Sequence, residues 1–138
     1  MAAFTLFECF VEDVAEKVHN LGSDTLTVAL TNSAPTAGTD DELADITEVA
    51  YTNCSARAIT TSSSSQASGV YSLILTDLTL TASSGTVGAF RYAVIYNDTA
   101  TNDELIGYAD YGSSITLQDG ETFDLDFPGT ALVSLTIS

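Results

Sequence analysis

Residues Phe90 to Tyr111 read FRYAVIYNDTATNDELIGYADY, two strongly β-forming runs separated by a polar turn. Phe90, Tyr92, Val94 and Tyr96 alternate with Arg91, Ala93, Ile95 and Asn97, and neither set is cleanly polar. A strand with apolar residues on both faces belongs in the interior of a sheet. Asn97 to Glu104 is rich in residues that tolerate turn dihedrals, and Leu105 to Tyr111 resumes the extended pattern. The chain is therefore expected to double back here as a central hairpin.

Toward the C-terminus, Ser114 to Leu117 is followed by the turn Gln118-Asp119-Gly120 and then by Glu121 to Phe127, the clearest alternation in the chain. It turns Phe123, Leu125 and Phe127 inward, and Asp-Gly between alternating runs signals a hairpin. Pro128-Gly129 makes a further turn before the terminal strand Leu132 to Ile137. Toward the N-terminus, Val70 to Leu75 and Leu78 to Ala82 are strands interrupted at Asp77, and Ser83-Ser84-Gly85 leads as a hairpin turn into the central strand. Ser62 to Gly69 is a low-complexity polar run that reads as a mobile surface loop. Arg57 lies in the apparent strand SARAITT, where so rare a cation calls for a carboxylate partner inside the protein or across an interface.

At the start, Phe4, Phe7, Val11, Val14, Val18 and Leu21 recur at spacings of three and four, with Glu8, Glu12, Asp13, Glu16 and Lys17 opposite. The pattern predicts one amphipathic helix over about residues 4–20, capped near Asn20 to Gly22. Lys17 and the sole histidine, His19, fall in its last turn, where positive charge suits the dipole. Thr25 to Thr31 alternates as a half-buried strand with Leu26, Val28 and Leu30 inward. NSAPTAGTDDELAD, Asn32 to Asp45, reads as a long acidic arm with one helical turn near Glu42 to Ala44. Eight or nine short strands at regular spacing define a mainly β fold, an antiparallel β-sandwich or jelly roll with one N-terminal amphipathic helix, in a single domain over 1–138.

Asp and Glu outnumber Lys and Arg by 19 to 3, a formal net charge of −16 that repels nucleic acid and anionic lipid. Mean hydropathy of +0.21 nonetheless sets the chain apart from a disordered acidic tail. Met1-Ala2-Ala3-Phe4 lacks the basic start of a signal peptide. No apolar run approaches the ~18 residues of a membrane-spanning helix. Cys9 and Cys54 sit in unrelated contexts and read as free thiols of a chain folded in a cytoplasm.

Candidate chemistry is sparse. His19 has no second histidine or cysteine cluster beside it, so a helix-end role outweighs that of base or metal ligand. Asp40, Asp41, Glu42 and Asp45 offer oxygen ligands for Ca²⁺ but lack the ordered spacing of an EF-hand loop. Asp124 and Asp126 have the spacing of any solvated strand face as well as that of paired glycosidase acids. Tyr92, Tyr96, Tyr108 and Tyr111 suit a core or an interface better than a sugar platform. Nothing calls for a cofactor, and no catalytic set is assembled, so the chain is not expected to be an enzyme.

Three stretches carry a resemblance: FTLFECFVEDVAEKVHNLGSDTLTVALTNSAP, TVGAFRYAVIYNDT and LIGYADYGSSITLQDGETFDLDF. Together they resemble a family of small tailed-bacteriophage structural proteins. After the acidic loop, Tyr51 to Ser55 departs from the glycine-rich run the family pattern has there. The resemblance implies a virion component on the capsid exterior, a decoration or cement protein made in the bacterial host cytoplasm. Its implied partners are the phage major capsid protein and itself, as a homodimer or homotrimer, with no nucleic acid and no membrane. Phe4, Phe7, Asp40, Asp41, Glu42, Arg57 and Arg91 are the expected contact residues, Phe4 and Phe7 having their own core as the ordinary alternative. A carbohydrate-binding or tail-fibre-associated β-sandwich module is the rival reading, and an intracellular hydrolase a third.

Overall fold

A computed structural model describes residues 2–137; Met1 and Ser138, the ends of the expected domain, lie outside the described residues. The fold is mainly β and antiparallel. Its central sheet has five strands in the order β1 (Phe4–Leu6), β8 (Leu105–Leu117), β7 (Val87–Asn97), β2 (Leu26–Thr31) and β3 (Ala58–Ile59). A second sheet orders β10 (Val133–Thr136), β5 (Val70–Leu75) and β4 (Thr61–Ala67), and β6 (Leu78–Thr81) pairs with β9 (Thr122–Leu125). The expected central hairpin is β7–β8, and β7 is indeed interior.

Its faces differ from simple alternation. The ladder pairs Phe90 with Ile115 and then Tyr92 with Asp110, so Tyr111 to Ser114 of β8 oppose the single residue Arg91. This bulge puts Phe90 on the same side as Ala93 and Ile95, not with Val94 and Tyr96. Leu26, Val28, Leu30, Ala93, Ile95 and Ile106 face a core shared with Leu73, Val133, Leu80 and Leu125 of the two smaller sheets. The opposite face, Ala29, Val94, Tyr96 and Leu105, is covered by Phe7 and Ile46. Strand β2 is thus buried on both faces, not half-buried.

The N-terminal helix is shorter than its periodicity predicts. Residues 4–6 pair with β8 instead (Phe4 opposite Ala109), and helix α1 spans Cys9–Ala15. A phenylalanine spacing of three suits strand, corner and helix equally, and the open edge of β8 offers backbone partners that an isolated first turn lacks. Phe7 and Phe10 go into the core, whereas Val11 of the expected stripe is 72% exposed. The helix ends with Lys17 at φ +67°, its N–H bonded to Val14 O and that of Val18 to Asp13 O, a Schellman closure well before Asn20.

Two further expectations fail for one reason, the crossing of the chain between sheets. Gln118 to Glu121 does turn, but β9 pairs with β6, not with β8, and β6 likewise makes no hairpin with β7. The serine run is a strand, not a loop: Ser63 to Ala67 pair with Val70 to Ile74 around a turn at Ser68-Gly69. β5 is apolar enough to require a partner, and small hydroxyl residues are accepted on a sheet edge.

Candidate functional site

The Asn32 to Asp45 segment is a cover, not a free arm. Glu8 N–H bonds to Ala37 O, Leu43 N–H to Asp103 O and Leu105 N–H to Asp41 O, while Ile46 and Leu43 pack over the second face of the central sheet. A 3-10 turn, Leu43–Asp45, stands where a helical turn is expected. Two of its acids serve the loop itself: Asp40 accepts from Thr36 N–H at 2.7 Å, and Asp45 from Asp41 N–H at 3.0 Å. The backbone N–H groups of Asp41 and Glu42 hold the Asp45 carboxyl below its ordinary range, while the neighbouring Asp45 pushes that of Asp41 up.

Asp41 and Glu42 join Glu12, Asp13, Asn102, Glu104 and Cys9 around a hollow of about 360 Å³. No three His, Cys, Asp or Glu side chains among the described residues converge closely enough to hold a metal ion. Burial, followed by the charges of Glu104, Glu12 and Asp41, raises the Asp13 carboxyl. Burial and Asp13 push the Cys9 thiol up to about 12, so it stays protonated near neutrality.

Behind this hollow lies His19, buried, four residues beyond the helix end. Its ring stacks on Phe10 at 5.4 Å. The Asn97 amide donates to Asp24 Oδ2 at 2.7 Å and accepts from the N–H groups of Thr99 and Ala100, which fixes its orientation. Asn97 Nδ2 therefore donates to His19 Nδ1 at 3.0 Å. The Nε2–H tautomer follows, with Nε2 3.8 Å from Asp13 Oδ2 and neither atom hydrogen-bonded. Burial lowers the His19 pKa, against the opposing pull of Glu104 and Asp24. The ring is neutral and its one lone pair is engaged, which leaves no ready base or metal ligand.

The expected contact residues do not form one surface. Phe7 is enclosed, packed on Tyr108, so its ring is not free to dock. Phe4 is half-buried over Gly107, where a methyl group would run into its ring. Arg57 stacks on Tyr51 at 3.6 Å, bonds to Val28 O and lies 3.9 Å from Glu48. Tyr51 O–H donates to Glu48 at 2.7 Å and accepts from Leu30 N–H at 2.9 Å. Together with the backbone of residues 48 and 49, where Val49 N–H bonds to Leu30 O and Glu48 bridges to Thr31, they close the edge of β2 beyond β3. Arg91 grips both oxygens of Asp110 at 2.8 and 3.1 Å, and Asp110 accepts from Gly112 N–H, which pins the β8 bulge. Asp40, Asp41 and Glu42 remain at the surface, together at the acidic end. Tyr92 and Tyr96 are core residues, and Tyr108 and Tyr111 are half-buried.

The Asn97 network and the Tyr51 clasp lay beyond the sequence reading. Asn97-Asp98-Thr99 carries the signature of an Asx turn, which could have marked the first; nothing marks Tyr51. No family model, curated protein or solved structure matches the chain. Among the described residues, no helix is long and apolar enough to cross a membrane.

Proposed function

We propose that this chain is a virion structural protein of a tailed phage, a capsid decoration or cement protein that binds the outside of the major capsid shell and stabilises it. The observation that carries this reading is a cluster of acids. Glu12, Asp13, Asp41, Glu42 and Glu104 line one hollow at the surface. An acidic end suits charge-assisted contacts to basic residues of a shell protein and keeps clear of packaged DNA. The three resembling stretches support the same assignment, as do the unpaired Cys9 and Cys54, which fit folding in a bacterial cytoplasm. We read the architecture as a β-sandwich, because one core draws residues from all three sheets. The partners are the major capsid protein and further copies of the chain, in a homodimer or homotrimer. No catalytic role is proposed, since the Cys9 thiol is protonated and His19 is neutral and engaged.

One observation favours the carbohydrate-binding alternative. A cleft of about 770 Å³ is lined by Tyr71, Asn20, Asp24, Thr101 and Glu104, an aromatic ring among hydrogen-bonding groups. The deciding experiment is co-sedimentation with shells assembled from the major capsid protein of the same phage. Saturation at a fixed ratio to that protein is expected, with weaker binding by Asp41→Asn/Glu42→Gln and a higher temperature of shell disruption. Failure to pellet at any salt concentration, or an unchanged disruption temperature at saturation, would overturn it. Binding of oligosaccharides by the native chain but not by Tyr71→Ala would favour the alternative.

A further inference from the structure

We infer that two copies of this chain associate edge to edge through strand β10, joining their three-stranded sheets across a two-fold axis. Such a contact gives the proposed self-association a definite surface, and it does not depend on a capsid being the other partner.

The first observation is electrostatic. Each copy carries a formal charge of −16, yet β4, β5 and β10 all fall within segments that have no charged residue. A contact through the backbone edge of β10 therefore sets no charged side chains directly opposite one another, with Asp24 and Glu104 to the side in the cleft that Leu135 and Tyr71 border, whereas contact through the acidic end sets like charges against one another.

The second observation concerns the edge. β10 pairs with β5 alone, and Ile137 N–H bonds to Gly69 O. Antiparallel alternation then directs the N–H and C=O of Val133, Leu135 and Ile137 toward β5, and those of Ser134 and Thr136 away from it. The usual protections of an edge, a lysine, a proline or an inward charge, are missing from Leu132 to Ile137. Leu135 and Ile137, two of the four large apolar residues exposed among the described residues, sit on this strand and its continuation, at 39% and 79%.

A second copy fits these features by symmetry. With the axis at Leu135, Ser134 of each copy faces Thr136 of the other, so each of these residues both donates and accepts a backbone hydrogen bond. Leu135 of the two copies meets in the close, non-hydrogen-bonded pair between them. The contact is self-complementary, as a two-fold contact must be, and it closes.

Sedimentation velocity and light scattering of the purified chain over a concentration series, in low and high NaCl, test the inference. A dimer of twice the 14.4 kDa chain mass is expected, tightening as salt rises because screening removes repulsion without weakening an uncharged contact. Thr136→Pro removes only an outward N–H and should weaken dimerisation by about tenfold to a hundredfold. Leu135→Glu, at an exposed position, sets two charges against each other and should give monomers with unchanged circular dichroism. A chain that is monomeric at millimolar concentration in high salt would overturn the inference. So would dimers that persist undiminished in both variants, or that dissociate as salt is added. None of these outcomes bears on whether the chain pellets with shells.

Discussion

Lys17 occupies a backbone conformation, φ +67°, that strains a side chain carrying a Cβ and leaves glycine at ease. The left-handed penalty of roughly 1–2 kcal/mol, less the roughly 0.5–1 kcal/mol of entropy a glycine loses on folding, leaves Lys17→Gly more stable by about 0.5–1 kcal/mol. Urea denaturation would read this as a higher midpoint at constant slope, and an unchanged or lower midpoint would refute it. His19 makes the opposite kind of statement, about pH. Its folded pKa is lowered, chiefly by burial, from an ordinary value of 6.5. Above 6.5 neither the folded nor the unfolded chain holds the proton. As pH falls below that value the unfolded chain gains a proton that the native ring refuses, so stability drops until the folded pKa is reached and is level beneath it. Asp13, with a raised folded pKa, contributes with the opposite sign nearer its carboxylate range. The comparison that isolates His19 is the pH slope of stability for the native chain against His19→Gln. The slope between about pH 7 and the lowered pKa should flatten in the variant, whatever its baseline stability.

The edge of β2 shows how side chains complete an element that the backbone leaves short. β3 pairs only at Leu26 and Thr27; beyond it, Val28 O is met by Arg57 and Leu30 N–H by Tyr51 O–H. Tyr51→Phe and Arg57→Ala each leave a half-buried backbone group without its side-chain partner, at a cost of about 1–3 kcal/mol. The double variant should cost less than the sum, because the two side chains stack and share Glu48. Strict additivity in a double-mutant cycle would show that the clasp is not one unit. Such closures are also what sequence patterns miss. β2, β7 and the first half of β8 were legible because their apolar periodicity is dense, and β9 and β10 because theirs is regular. The bulge opposite Arg91 left no periodic trace, since the residues that make it, Tyr111 to Ser114, continue a β-forming run. Asp119-Gly120 correctly marks a turn, but a turn signal is local, and only the competing partner β6 decides that β9 leaves the sheet. The serine run had the composition of a loop and became a strand because β5 needed a neighbour. In the candidate site, the acidic residues were readable as a group, whereas the burial of Phe7 and the capture of Arg57 and Arg91 within the chain depend on tertiary packing.

At the scale of the whole molecule, three Lys and Arg residues face nineteen acids, and two of the cations are already held by Asp110 and Glu48. Long-range electrostatics in the native state is therefore repulsive on balance; burial first, and neighbouring carboxylates after it, raise the carboxyls of Asp13 and Asp103. Repulsion between exposed charges reaches across the molecule at low ionic strength and shrinks to a few ångströms near 1 M salt. The unfolded chain spreads the same charge over a larger volume, so screening favours the folded state. The urea midpoint should consequently rise steadily from about 0.01 to 0.5 M NaCl, with urea as denaturant because guanidinium would itself screen. Neutralising Glu12, Asp41 and Glu42 as Gln, Asn and Gln should raise the low-salt midpoint and flatten its salt dependence, since these three share the acidic hollow. Asp40 and Asp45 are left out of that variant because their carboxylates hold loop N–H groups, and removing them would confound lost capping with relieved repulsion. If the midpoint instead fell with salt, the ion pairs of Arg91 and Arg57 would outweigh the sum of the acidic repulsions. The acidic end would then have to be regarded as electrostatically settled on its own, with no surplus negative charge waiting for a basic partner.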